Sequence, residues 1–211
     1  MVKVKICGVT RAEDVRSSVA AGAHAIGINF APESKRYIGS VERAAELIQK
    51  SRSAKSIEWA GVFVNAPQLQ IERAVRELSL SIVQLHGDET PAEVIALRAH
   101  MPRETLIWKV FRISDASDLA ALSQFACDGC LLDARYEGAR GGEGVRFDWN
   151  VLKELTRTKP IILAGGLNPE NVREAVSSVK PEWVDVASGV ESAPGIKAAE
   201  KIQRFVREAT T

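Results

Sequence analysis

At 211 residues with a formal net charge of +1 and acids and bases interspersed, the chain has room for one sizeable core and lacks the basic excess of a nucleic-acid binder. No apolar run approaches the roughly 18 residues of a membrane span, and no basic leader precedes the opening strand pattern, so a cytoplasmic protein without a membrane partner is expected. Three cysteines, Cys7, Cys127 and Cys130, are too few for a disulfide framework and fit a reducing compartment.

Val2, Lys3, Val4, Lys5 and Ile6 alternate as a first strand that ends at Cys7. After Gly8 and Val9, Thr10 and Glu13 have capping-box spacing and open a helix that runs to Gly22. A second strand over 25–30 leads into a polar loop with Ser34, Lys35, Arg36 and Tyr37, longer than a connection requires. Ser40 then caps a helix with Val41, Ala44, Ala45 and Ile48 on one face.

A third strand over 57–64 passes through Asn65 and Pro67 to a helix with Leu69, Ile71, Ala74, Val75 and Leu78 at helical spacing. The fourth, over 82–85, runs into His86 and Gly87, and Thr90, Pro91 and Glu93 combine a capping box with a proline at the first helical position. The fifth, over 106–111, precedes a helix near 115–125, and the sixth, over 129–132, ends at Asp133. A glycine-rich loop through Gly138, Gly141, Gly142 and Gly144 follows, with Asp148 capping the next helix.

The seventh strand, Ile161 to Ala164, ends in Gly165 and Gly166, with Asn168 as cap and Pro169 at the first helical position. The eighth, through Val184 and Val186, ends in Ser188 and Gly189, and a last amphipathic helix runs to about 209. Strands alternate with helices without a linker, and several strands are continuous apolar runs, as a parallel sheet covered on both faces requires. The economical architecture is one (β/α)8 TIM barrel over 1–211; a doubly wound open sheet fits less well, because its glycine fingerprint usually follows the first strand.

Closure would bring Cys7, Arg36, Asn65, His86, Asp133, the Gly141 to Gly144 loop, Gly165, Gly166, Ser188 and Gly189 to one mouth. Two glycine turns after neighbouring strands form an anion cradle, since backbone N–H groups can approach a phosphate there. The set lacks clustered His and carboxylates, so metal-free acid/base chemistry on a phosphorylated small molecule is expected. Cys7 reads either as a general base or as a small buried hydrophobe. Asp133 reads as a proton donor, a cap or a partner for Arg135, and Arg36 as a carboxylate-binding fork or a solvated charge. His86 lines the mouth without an obvious orienting partner. Cys127 and Cys130 form a C-x-x-C that enters a strand and has no second ligand pair, and His24 and His100 read as structural.

The ordered set Lys5-Ile6-Cys7-Gly8, Ser34-Lys35-Arg36-Tyr37, Gln84-Leu85-His86-Gly87, Leu131-Leu132-Asp133, Gly141-Gly142-Glu143-Gly144, Gly165-Gly166-Leu167-Asn168-Pro169 and Ser188-Gly189-Val190-Glu191 resembles the phosphoribosylanthranilate isomerase family of tryptophan biosynthesis. The resemblance spans essentially the whole chain; the stretch at Val145-Arg146 is a small departure. It implies a barrel that carries out an Amadori rearrangement of N-(5'-phosphoribosyl)anthranilate without cofactor. Asp133 would protonate the ring oxygen, Cys7 would remove the C2′ proton, and Arg36 would hold the anthranilate carboxylate. His86 joins the substrate-binding set, and Gly141, Gly142, Gly144, Gly165, Gly166, Ser188 and Gly189 would form the phosphate end. The competing readings are a histidine-pathway aminoaldose isomerase, which resembles a duplicated half-barrel with aspartate at the Cys7 position, and a non-catalytic phosphate binder. A homo-oligomer stays open, and no other partner is indicated.

Overall fold

The structure, a computed structural model, describes residues 1–51, 57–113, 116–133, 149, 152 and 157–211. Its strands are β1 (Lys3–Ile6), β2 (Ala25–Asn29), β3 (Glu58–Phe63), β4 (Ile82–Leu85), β5 (Leu106–Arg112), β6 (Gly129–Asp133), β7 (Ile161–Ala164) and β8 (Trp183–Val186). They close into one barrel in sequence order, with parallel pairing throughout and β8 returning to β1 through Ile6↔Val186. Around it lie α1 (Ala12–Ala21), α2 (Val41–Lys50), α3 (Gln68–Leu78), α4 (Pro91–His100), α5 (Val172–Val179) and α6 (Ala199–Thr210). The connection between β5 and β6 is the 3-10 segment Ala116–Gln124 rather than an α-helix.

Side chains alternate along each strand between two cores. Ala25, Ala60, Ile82, Trp108, Leu131, Ile162 and Trp183 point inward, and Trp108 meets Trp183 edge to face at 5.2 Å to plug the barrel. Ile26, Val83, Ile107, Leu132, Leu163 and Val184 point outward into the larger layer beneath the helices. Each fully buried aliphatic side chain contributes about 1.5–3 kcal/mol. Because both strand faces are covered, the polar groups that chemistry needs are confined to the strand ends.

Local signals held where no tertiary group competed for them. Ser40 caps α2 by accepting from the Arg43 N–H, Thr90 and Glu93 form the reciprocal capping box with Pro91, and Gly22 closes α1 at φ 92°. The Thr10 capping box does not form: α1 starts after Arg11, and the Thr10 hydroxyl instead donates to the Gly195 carbonyl at 2.9 Å. Leu69 is 78 % exposed, because Ile71, Ala74, Val75 and Leu78 already make the buried stripe and Leu69 lies off it. In α2 the buried stripe is Val41, Ala44 and Leu47, with Ala45 turned outward. Asn168 does not cap α5 directly: its Oδ1 accepts from the Glu170 and Asn171 N–H groups, and α5 begins only at Val172. After β8 the chain adds an unanticipated antiparallel hairpin of β9 (Glu191–Ala193) and β10 (Ile196–Lys197). The expected cap at Asp148 and the loop glycines from Gly138 to Gly144 lie outside the described residues.

Candidate active site

Cys7, Arg36, His86, Asp133, Gly165, Gly166 and Ser188 line one cavity at the C-terminal mouth of the barrel. Cys7 directly continues β1, its N–H donating to the Val186 carbonyl at 2.8 Å. Two residues earlier on the same inward face, Lys5 is fully buried and donates to Asp185 Oδ1 at 2.9 Å. Gly27 on β2 makes room for both groups, since a Cβ there would lie 2.9 Å from the Cys7 sulfur and 2.9 Å from Lys5 Nζ. Burial alone would lower the Lys5 ammonium, but the Asp185 carboxylate and Cys7 outweigh it and raise its pKa. Burial pushes the Cys7 thiol up and Asp185 adds to this, while Lys5 and Lys197 pull it down without cancelling the shift. The balance favours the protonated thiol at Cys7, whose burial fits both of its sequence readings.

Asp133 closes β6, where its register partner is Ala164, next to the glycine pair. Its Oδ2 lies 3.7 Å from His86 Nε2. The Gln84 amide nitrogen lies 3.2 Å from His86 Nδ1, and donation there leaves the ring proton on Nε2, on the Asp133 side. Gln84 is thus the orienting partner that His86 lacked in the sequence reading; being two residues earlier on one strand, it shares the inward face, which was the available signal. Lys109 Nζ fixes the following turn by donating to the Gly87 carbonyl at 2.7 Å and Glu89 Oε2 at 3.0 Å. Asn65, expected at the mouth, serves this turn instead: its Oδ1 accepts from the Asp88 N–H at 2.7 Å.

Arg36 sits in a loop folded back on β2, where the Asn29 carbonyl accepts from the Ile38 N–H at 2.9 Å and Ser34 Oγ accepts from the Arg36 N–H at 3.1 Å. Its guanidinium grips Glu191 bidentately, Nε to Oε1 at 2.7 Å and Nη2 to Oε2 at 2.6 Å. Two of its five donors are therefore committed inside the protein. Neither Glu191 nor its further partner Lys197 stood out as functional in the sequence, since 155 residues separate Arg36 from Glu191 and no local spacing links them.

The two glycine turns touch. A Cβ on Gly189 would lie 2.0 Å from the Leu167 carbonyl oxygen, so only glycine lets the turns after β7 and β8 pack together. Gly165 and Gly166 adopt φ 83° and 67°, and a Cβ on Gly166 would meet nothing within 4 Å. That side of Gly166 is open space at the cavity. Gly141, Gly142 and Gly144 fall outside the described residues.

Cys127 and Cys130 lie in the outer packing layer, sulfurs 4.0 Å apart and away from the mouth. Cys130 hydrogen bonding holds Cys127 down at about 7, and the same contact pushes Cys130 up. His24 accepts from the Val4 N–H at 3.1 Å, and His100 faces Glu72 at 3.6 Å. Among the described residues no group of His, Cys, Asp and Glu could hold a metal, and no helix is long and apolar enough to cross a membrane.

Comparison with known proteins matches residues 4–208 to the family model of N-(5'phosphoribosyl)anthranilate (PRA) isomerase. The N-(5'-phosphoribosyl)anthranilate isomerase of Trichlorobacter lovleyi is 43% identical over 211 residues, covering 99% of this chain and 98% of the relative. That of Geobacter sulfurreducens is 43% identical over 209 residues, with 99% and 98% coverage. Among solved structures, phosphoribosyl anthranilate isomerase from Thermotoga maritima superposes with TM-score 0.86 at 40% identity, over 99% of this chain and 98% of that one. Another, in complex with reduced 1-(o-carboxyphenylamino)-1-deoxyribulose 5-phosphate, superposes with TM-score 0.82 at 38% identity, with 99% and 98% coverage.

Proposed function

The chain belongs to the N-(5'-phosphoribosyl)anthranilate isomerase family of tryptophan biosynthesis, and from that premise we propose that Cys7 and Asp133 are the base and the acid of the reaction. The reaction is the Amadori rearrangement of N-(5'-phosphoribosyl)anthranilate to 1-(2-carboxyphenylamino)-1-deoxyribulose 5-phosphate. We read the whole of 1–211 as one catalytic barrel.

Asp133, at the end of a buried strand and 9 % exposed, is suited to carry a proton to the furanose ring oxygen, opening the ring to a protonated Schiff base. His86, held by Gln84, keeps an N–H on that side of the mouth. The Schiff base acidifies the C2′ proton, which the Cys7 sulfur removes as thiolate; the electron pair moves into the C1′–C2′ bond, and the enolamine tautomerises to the ketone. Lys5 beside the thiol favours its ionised form when the proton is to be taken.

The remaining donors of Arg36 suit the anthranilate carboxylate. The touching turns at Gly165, Gly166, Ser188 and Gly189 suit the phosphate, and the same role falls to the Gly141 to Gly144 loop. The substrate is accordingly a phosphorylated small molecule. Three free, buried cysteines and a biosynthetic role favour the cytoplasm. A dimer is the assembly to test first, because a Thermotoga maritima relative is described as dimeric.

The observation that carries this reading is that Cys7, Asp133, Arg36, Gly165, Gly166 and Ser188 line one cavity, with Gly189 packed behind it against Leu167. The test follows substrate fluorescence on adding purified protein. Cys7→Ser and Asp133→Asn should each lose on the order of 10² to 10⁴ in rate with circular dichroism unchanged. Unchanged turnover in both variants removes the assignment, and a parent protein without turnover is a phosphate binder instead.

A further inference from the structure

We propose that Glu191 and Lys197, on the β9–β10 hairpin, are positioning residues that lock the Arg36 guanidinium to the segment carrying Cys7. The inference rests on the reading of Arg36 as the carboxylate site.

Arg36 and Glu191 meet in a two-bond, planar fork at 2.7 and 2.6 Å, which fixes the plane of the guanidinium as well as its place. Glu191 is itself anchored: Oε1 also accepts from Lys197 Nζ at 2.8 Å and from the Gly195 N–H at 3.2 Å. Lys197 is 4 % exposed, and its three ammonium protons go to Glu191 Oε1, the Cys7 carbonyl at 2.6 Å and the Ala187 carbonyl at 3.1 Å. One buried cation thus joins the end of β1, the end of β8 and the carboxylate that holds Arg36.

A second contact couples the same parts. Gly8, directly after Cys7, sits at φ 69°, and a Cβ on it would lie 2.3 Å from Arg36 Cδ. The Arg36 stem therefore lies against the backbone of the residue that follows the base. Arg36 and Lys197 share the one carboxylate of Glu191, and burial pulls the Lys197 ammonium down more than Glu191 raises it, so Arg36 carries the firmer charge at the mouth. The hairpin is in turn tied to the start of α1, where the Lys197 N–H donates to Asp14 Oδ2 at 3.2 Å and Thr10 to the Gly195 carbonyl at 2.9 Å. The competing account is a buried ion cluster that only stabilises the fold, and the two differ in what they do to substrate selectivity.

The experiment compares N-(5'-phosphoribosyl)anthranilate with N-(5'-phosphoribosyl)aniline, which lacks the carboxylate, in the parent enzyme, Glu191→Gln, Glu191→Asp, Lys197→Met and Lys197→Arg. A free Arg36 fork loses its orientation, so Glu191→Gln should raise KM for the carboxylated substrate on the order of tenfold to a hundredfold, with KM for the aniline analogue and kcat little changed. Lys197→Met should lower kcat as well, since it releases the Cys7 carbonyl, and Lys197→Arg should recover part of that loss. If Glu191→Gln fails to fold, Glu191→Asp, with the charge kept and the reach shortened, must show the same fall in the preference ratio. A parent enzyme that treats both substrates alike overturns the Arg36 reading itself. A parent that discriminates, with Glu191 variants that keep the full ratio, overturns the positioning inference alone.

Discussion

Lys5 Nζ meets Asp185 Oδ1 at 2.9 Å inside the barrel, two residues before Cys7 along the inward face of β1. Both partners are buried, so removing the cation strands a carboxylate in the protein interior. Lys5→Met should lower unfolding free energy by about 3–5 kcal/mol, read from urea midpoints. A loss under about 1 kcal/mol would show that water reaches the pair.

The same pair bears on pH. Because the Cys7 thiol is pushed above its ordinary value, first by burial and then by Asp185, its proton-accepting form is scarce at neutral pH and grows as pH rises. Alkylation of Cys7 by iodoacetamide, with Cys7→Ser as the blank, should therefore speed up about tenfold per pH unit until the thiol titrates. A rate flat from about pH 7 to 9 would mean that the thiol is already ionised there and would contradict the upward shift.

Gly166→Ala separates the phosphate cradle from the fold. The added methyl meets no protein atom within 4 Å, and the left-handed φ of 67° costs about 1–2 kcal/mol. The variant should stay folded by circular dichroism while KM and the inhibition constant of inorganic phosphate both rise. Gly189→Ala, with its methyl 2.0 Å from the Leu167 carbonyl oxygen, should lose stability as well. Unchanged phosphate inhibition in Gly166→Ala would move the anion site elsewhere.

Acid stability follows from Glu191. Burial alone would raise its carboxyl, but the bonds from Arg36 and Lys197 outweigh burial and hold it below the ordinary range. Its contribution is then complete above the unfolded value of about 4.3 and lost as pH falls through the lower folded value. Urea midpoints followed from pH 6 to 3 should fall more steeply in the parent than in Glu191→Gln; equal slopes would contradict the shift.

The barrel was legible because parallel strands buried on both faces tend to read as apolar runs, and several of β1 to β8 do, while β1 alternates through Lys3 and Lys5. The Gly-Gly turn after β7 and the Ser-Gly turn after β8 were legible as a pair because both are local backbone requirements. Long-range competition was not. The Thr10 hydroxyl goes to Gly195, the Arg36 fork to Glu191 and the Lys197 ammonium to Cys7, each across 155 residues or more. The resting state of Cys7 was hidden for the same reason: burial, which nothing in the spacing of Lys5 and Cys7 reports, decides it.

The most direct measurement of the two-residue mechanism is the isotope effect in single turnover on substrate deuterated at C2′. If Cys7 takes that proton after Asp133 has opened the ring, Cys7→Ser makes proton removal limiting and shows a large primary effect, while Asp133→Asn makes ring opening limiting and shows almost none. An equal effect in both variants, or a larger one in Asp133→Asn, would contradict the assignment of the base to Cys7 and the acid to Asp133.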